Sequence, residues 1–147
     1  MNKNNKKVFD FGAHSAIVDR LVAKQFSRSF MSNAKWRRLI TTLDSVEPEL
    51  QVIWKFVGSK NDGVRWSLPA IESMQEEYLD NRFWFGPLYY KEIEWLEIPL
   101  VAKPWGKENL PITYRDQDIE KVRKALEKSG RWSLEDTGTG LRIYGYR

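Results

Sequence analysis

Hydrophobic residues recur with a helical period in three stretches of this chain. In residues 15–30, apolar side chains return at intervals of four, which predicts an amphipathic helix. A second helix is expected to begin at Ser32 or Asn33, because both residue types cap helix N-termini. Its predicted buried side chains are Trp36, Leu39, Ile40 and Leu43.

The third helical stretch has the clearest boundaries. It begins at Asp116 or Gln117 and ends before Gly130, a residue type favoured just beyond helix C-termini. Glu120 and Lys124 are four residues apart, so we expect them to pair on the exposed side. Four apolar side chains are expected to face inward: Ile119, Val122, Ala125 and Leu126.

Strand-forming residues flank two loops and predict two hairpins. The first joins residues 50–57 to residues 64–68 through a loop that ends in Asp-Gly. The second joins residues 132–135 to residues 141–146, and the two glycines in residues 136–140 are typical of a tight or bulged turn. The sequence therefore supplies four strands of an antiparallel sheet.

Residues 83–99 form the densest aromatic segment and are the predicted centre of that sheet. Residues 89–98 are extended in character, but their apolar side chains change parity near Trp95. Either a bulge near Trp95 redirects the strand, or the strand leaves one face of the sheet for another environment. The preceding residues 70–81 could form a short helix or an ordered loop.

The order of these elements predicts an α+β fold. We expect a mostly antiparallel sheet of about five strands, two N-terminal helices, and one helix before a C-terminal hairpin. A chain of 147 residues fits a single domain spanning residues 1–147. Residues 1–7 are rich in Asn and Lys and are predicted to be a mobile basic tail.

Composition narrows the compartment and the possible chemistry. The chain has no cysteine, which excludes disulfides and thiolate sites and fits a reducing compartment. No stretch has the composition of a secretory signal or a membrane span, so a cytoplasmic protein without a membrane partner is expected. Net charge is uneven: residues 1–43 carry +7 and the remaining residues carry −3.

Few residues are suited to catalysis, and we predict a non-enzymatic protein without cofactor or metal. His14 is the only histidine and stands before the first predicted helix, where a cap or turn position explains it. Glu92 and Glu94 would share one face of a strand, where they could bind Mg²⁺ or simply form an acidic solvent face. An enzyme that uses these two carboxylates is the least favoured hypothesis.

Two oppositely charged surfaces are the candidates for binding a partner. The acidic candidate consists of Glu92, Glu94 and Glu97, and the basic candidate of Arg20, Lys24, Arg28, Arg37 and Arg38. Opposite charges on a small domain provide steering and specificity toward a protein partner. Basic helices could instead bind nucleic acid, although the aromatic residues needed for stacking are concentrated in the acidic part of the chain.

Short motifs spread over most of the chain also resemble a known kind of protein. They are residues 35–39 (KWRRL), 54–56 (WKF), 90–95 (YKEIEW) followed by Ile98-Pro99, and 142–146 (RIYGY). Together they resemble an uncharacterised family of small bacterial proteins, similar to immunity proteins of polymorphic or contact-dependent toxin systems. That resemblance implies a cytoplasmic protein that neutralises a cognate toxin by tight binding. Immunity proteins of nuclease toxins are commonly acidic, whereas the isoelectric point of this chain is basic.

Overall fold

A computed structural model describes residues 10–47, 49–83, 86–104 and 115–147. The described residues contain three helices: α1 (Phe11–Gln25), α2 (Asn33–Val46) and α3 (Ile119–Ser129). They also contain nine strands: β1 (Gln51–Phe56), β2 (Val64–Ser67), β3 (Tyr78–Phe83), β4 (Gly86–Tyr89), β5 (Ile93–Pro99), β6 (Val101–Ala102), β7 (Arg115–Asp116), β8 (Leu134–Asp136) and β9 (Gly140–Tyr144). The predicted tail, residues 1–7, lies outside the described residues.

Side-chain caps set where each helix begins. Ser32 accepts the backbone N–H of Lys35 at the start of α2, and that helix buries the four predicted side chains. Asp10 caps α1 by accepting the N–H of Ala13, so this helix begins four residues before the predicted start. It also ends earlier than predicted, because Phe26 is already extended.

α3 ends where predicted, but it begins at Ile119 rather than at Asp116 or Gln117, and the predicted ion pair is replaced by another. Asp118 caps it, and Gly130 follows its last residue in an extended conformation. Glu120 pairs with Arg123, one residue nearer than the predicted Lys124, with 3.3 Å between Oε1 and Nε. The guanidinium of Arg123 also reaches Asp136 on β8, and this second carboxylate explains why Arg123 is preferred.

Five strands form one antiparallel sheet in the order β2-β1-β5-β9-β8. Helices α2 and α3 pack together and against one face, where buried side chains from both helices and from the sheet form a single core. Two further antiparallel pairs, β3 with β4 and β6 with β7, complete the fold. The predicted α+β class, both hairpins and the five-stranded sheet are confirmed.

Of the two alternatives for the segment before the central strand, the helix is wrong, and the segment is an ordered loop that leads into β3. Residues 70–81 do not form a helix: one 3-10 turn, Ile71–Ser73, precedes β3. Residues 89–98 are not one continuous strand, because a second 3-10 turn, Tyr90–Glu92, separates β4 from β5. Tyr90 is fully buried in this turn and its hydroxyl donates to the carbonyl of Gln75, so a large aromatic residue is accommodated without a strand.

The predicted bulge is present on β5 beside Trp95. Lys55 lies opposite Trp95, but the next residue of β1, Phe56, lies opposite Ile93, so Glu94 is the extra residue. Ile93 and Leu96 therefore both join the core despite their different parity. This explains the change of apolar side that the sequence shows.

On the sheet face away from the helices, a row of paired residues crosses all five strands. From β2 to β8 the row reads Arg65, Ile53, Glu97, Arg142 and Glu135. Glu97 is the centre of this row, and its side chain is only 3% exposed. Its carboxylate lies 3.1 Å from a terminal guanidinium nitrogen of Arg142.

Hydroxyl groups complete the coordination of the buried Glu97 carboxylate. Thr137 and Thr139, in the β8–β9 turn, donate hydrogen bonds of 2.9 and 3.0 Å to its two oxygens. The guanidinium of Arg142 also lies over the indole of Trp95, 3.7 Å from the ring centroid. One ion pair therefore fixes the central strand, the last hairpin and an aromatic ring together.

We predict strong energetic coupling between Glu97 and Arg142. Replacing Arg142 with Met leaves a buried carboxylate without its cation and should lower the free energy of unfolding by about 3 kcal/mol. The double variant Glu97→Gln with Arg142→Met should lose less than the sum of the single losses. Urea unfolding of the four proteins measures the coupling, and additive losses would contradict it.

Candidate interaction site

The three glutamates of the predicted acidic surface are occupied within the chain. Glu92 lies in the 3-10 turn rather than on the strand, and one of its carboxylate oxygens is 2.6 Å from Nε2 of His14. Its other oxygen accepts the backbone N–H of Tyr89. Only 12% of the Glu92 side chain is exposed, so little of it is available to a partner.

Glu94 and Glu97 are also turned toward internal cations. Glu94 lies 3.9 Å from Nζ of Lys55, and Glu97 is buried against Arg142. The predicted exposed acidic surface is therefore wrong for Glu97. The prediction that Glu92 and Glu94 share one face of a strand is also wrong, because Glu92 precedes the strand. Among the described residues, no group of three or more His, Asp or Glu side chains could hold a metal ion.

His14 belongs to α1 itself, not to the turn before it. Its ring stacks beside Tyr89, with 6.4 Å between ring centroids, in addition to its contact with Glu92. The sequence did not predict this contact, because the two residues are 78 positions apart and no local pattern joins them. The contact ties the start of α1 to the β4–β5 connection.

Lys91 makes the second polar attachment of α1. Its ammonium lies 2.9 Å from Asp19 and also donates to the hydroxyl of Ser15. A polar cavity of about 170 Å³ opens here, lined by Ser15, Asn33, Glu77, Tyr89 and Lys91. Burial, then the nearby carboxylates of Glu77 and Glu92, raise the pKa of Tyr89 above its ordinary value.

Hydrophobic burial contributes little to this attachment. Within the described part of α1, Val18 is the only fully buried residue, while Leu21 and Val22 are half-buried. After the helix, Phe26 stacks on Tyr146, and the backbones of Arg28 and Arg147 exchange two hydrogen bonds of 3.0 Å. α1 is thus a peripheral helix, held by polar contacts on one side and by the C-terminal segment at its end.

We use the name basic surface for three predicted residues: Arg20 and Lys24 on α1, and Arg28 in the segment that follows it. All three are exposed, and none forms an ion pair with a carboxylate of the described residues. Arg28 lies over the ring of Phe30, 5.6 Å from its centroid. These cations are therefore available for an external anion.

The other two predicted basic residues lie elsewhere in the fold, with contacts of their own. Arg37 donates to the backbone carbonyl of Glu76 and lies near Tyr90. Burial raises the pKa of the Tyr90 hydroxyl to about 12, although the positive charge of Arg37 opposes this rise. Arg38 lies beside Gly130 at the C-terminal end of α3, where the helix dipole favours a cation. The structure therefore divides the predicted basic set into two groups.

A larger cavity, about 450 Å³, lies beside the first residue of β1, Gln51. Its lining consists of Glu49, Leu50, Gln51, Trp66, Ser67, Ala102, Lys103, Pro104 and Arg115. Several of its polar groups already bind one another: Arg115 donates to the carbonyl of Glu49, and Gln51 accepts from the backbone of Lys103. Sequence patterns did not predict this cavity, since it is assembled from four separate segments.

Comparison with protein families gives a match that spans most of the chain. A model described as a family of unknown function, DUF6678, matches residues 18–147. The chain belongs to the DUF6678 family. In this DUF6678 chain the basic surface lies inside the matched residues, whereas His14 and Ser15 lie before them. Searches of curated proteins and of solved structures return no significant match.

Among the described residues, no helix has the length and apolar character needed to span a membrane.

We predict that Lys91 holds α1 in place without supporting the rest of the fold. Replacing Lys91 with Met removes the contacts to Asp19 and Ser15, a partly exposed attachment worth about 1 kcal/mol or less. Amide hydrogen exchange in α1 should become a few times faster, while exchange in β5 and β9 stays unchanged.

The control for this experiment is Lys121→Met on the exposed side of α3. It removes one charge without touching α1 and should leave α1 exchange unaltered. If Lys91→Met also left α1 exchange unaltered, the proposed attachment would be wrong.

Proposed function

We propose that this chain is a non-enzymatic binding protein that acts in the cytoplasm as an immunity protein. In this proposal it neutralises a cognate bacterial toxin by stoichiometric binding. The observation that carries the proposal is the basic surface: three exposed cations without a carboxylate partner in the described part of the chain. The resemblance of the sequence motifs to immunity proteins supplies the biological setting.

Electrostatic complementarity favours an acidic partner surface. Exposed cations lose little on desolvation and accelerate association with an acidic surface, particularly at low salt. The three carboxylates predicted as an acidic partner surface, Glu92, Glu94 and Glu97, are directed to His14, Lys55 and Arg142 instead. Our proposal therefore places the partner on α1 and the segment that follows it.

The polar cluster around Lys91 offers less support for an enzyme. The ammonium of Lys91 donates hydrogen bonds to both Asp19 and Ser15 and is engaged by these two partners. His14 has its Nε2 occupied by Glu92. These contacts have the character of attachments between elements.

Nucleic-acid binding is the second candidate, and the spacing of the cations favours it. Arg20 and Lys24 are one turn apart on α1, about 6 Å along the axis, which could follow a phosphate backbone. The neighbouring rings give it less support. Phe26 stacks on Tyr146 and Phe30 lies beneath Arg28, so one face of each ring is already covered by a neighbour within the chain.

We predict that reversing the basic surface abolishes partner binding. A triple variant that combines Arg20→Glu, Lys24→Glu and Arg28→Glu should bind the purified product of the gene adjacent to its own at least 100-fold more weakly, measured by calorimetry. The matched control reverses three exposed lysines on α3, Lys121, Lys124 and Lys128, and should retain binding.

Salt titration separates the two candidate functions. The same proteins are tested against a single-stranded homopolymer and a random duplex at low and high ionic strength. Nucleic-acid binding that falls steeply with salt, together with no binding of the adjacent gene product, would contradict the immunity proposal. Equal losses in both triple variants would show that net charge, not the basic surface, determines binding.

A further inference from the structure

The outward face of α1 is a continuous exposed strip. Five residues fall within an arc of about 100° on the helix surface, given 3.6 residues per turn. They are Ala13, Ala16, Ile17, Arg20 and Lys24, and all five are exposed. The half-buried and buried residues of the helix, among them Val18 and Val22, lie on the other side.

Ile17 is the unusual member of this strip. Its exposed fraction is 46%, and only two other large hydrophobic side chains among the described residues, Ile71 and Leu100, are similarly exposed. Of these three, Ile17 alone is followed on one helix face by exposed cations without a carboxylate partner among the described residues: Arg20 lies about one turn further along α1 and Lys24 about two turns. An exposed apolar side chain beside an arginine combines an apolar contact with a residue type that is enriched at protein interfaces.

We infer that this strip binds an amphipathic helix of the partner, in which acidic residues flank an apolar anchor. This inference rests on the proposed function and specifies the partner's chemistry. The small side chains of Ala13 and Ala16 leave space beside Ile17 for a neighbouring ridge, which suits helix packing at 8–10 Å between axes. Carboxylates on the partner would meet Arg20 and Lys24.

Charge argues against a second copy of this chain as the occupant. A parallel two-fold pairing of α1 with itself would bring Arg20 and Lys24 of both copies close together. The strip contains no acidic residue to compensate, and the nearby Asp19 is already bound by Lys91. Nucleic acid would use the two cations but would gain nothing from Ile17.

Two uncharged substitutions test the inference while the cations stay in place. Ile17→Ala removes the apolar contact, and Ala16→Trp fills the space beside it. With the product of the adjacent gene as the probe, Ile17→Ala should raise Kd about tenfold at both low and high salt. Ala16→Trp should raise it further. Ile71→Ala, which removes another exposed isoleucine, is the matched control and should leave Kd unchanged.

The outcomes separate this inference from the proposed function. If the unmodified chain bound no protein product, both would be overturned. If the charge-reversal variant lost binding while Ile17→Ala and Ala16→Trp kept it, only the inference would be overturned.

The remaining outcomes address the other occupants of the strip. Hydrogen exchange on the partner should show protection in a helical segment with carboxylates at helical spacing, and protection of a strand or loop instead would overturn the inference. So would a dimer of this chain that dissociates in Ile17→Ala, or nucleic-acid binding that is indifferent to that substitution.

Discussion

A carboxylate buried on the central strand constrains much of this fold. Glu97 lies in β5, between β1 and β9, and burying its charge requires a cation and hydrogen-bond donors at fixed positions. Arg142 supplies the cation, and two threonines in the β8–β9 turn supply hydroxyl donors. The register of three strands and the conformation of the last turn are therefore linked to one side chain.

The internal pairing of the acidic residues leaves the basic helix α1 as the candidate for partner binding. The acidic segment of residues 92–97 uses its charges inside the protein, against His14, Lys55 and Arg142. The stable part of the fold is the sheet with α2 and α3, whose buried side chains form one core. α1 contributes little to that core and is attached by polar contacts, which leaves its exposed side available for a partner.

Local patterns predicted most elements and few of the contacts between them. The boundaries and buried residues of α2 follow from its helical period and from the capping oxygen of Ser32, which are properties of consecutive residues. The last hairpin was equally predictable, because Gly138 adopts the positive φ of +88° that its turn requires. The break at Tyr90 was not, since a parity change is compatible with either a bulge or a turn, and this chain contains both. Glu97 was predicted to belong to an acidic surface. No local pattern could show its burial, because its partner Arg142 is 45 positions away.

Hydrogen exchange of the chain, free and bound to the purified product of the adjacent gene, tests our central claim most directly. We predict that binding slows amide exchange throughout α1 and in residues 26–28, and leaves exchange in β5 unchanged. Slower exchange confined to the β5–β9–β8 face, with α1 unaffected, would contradict the assignment of the basic surface as the binding site.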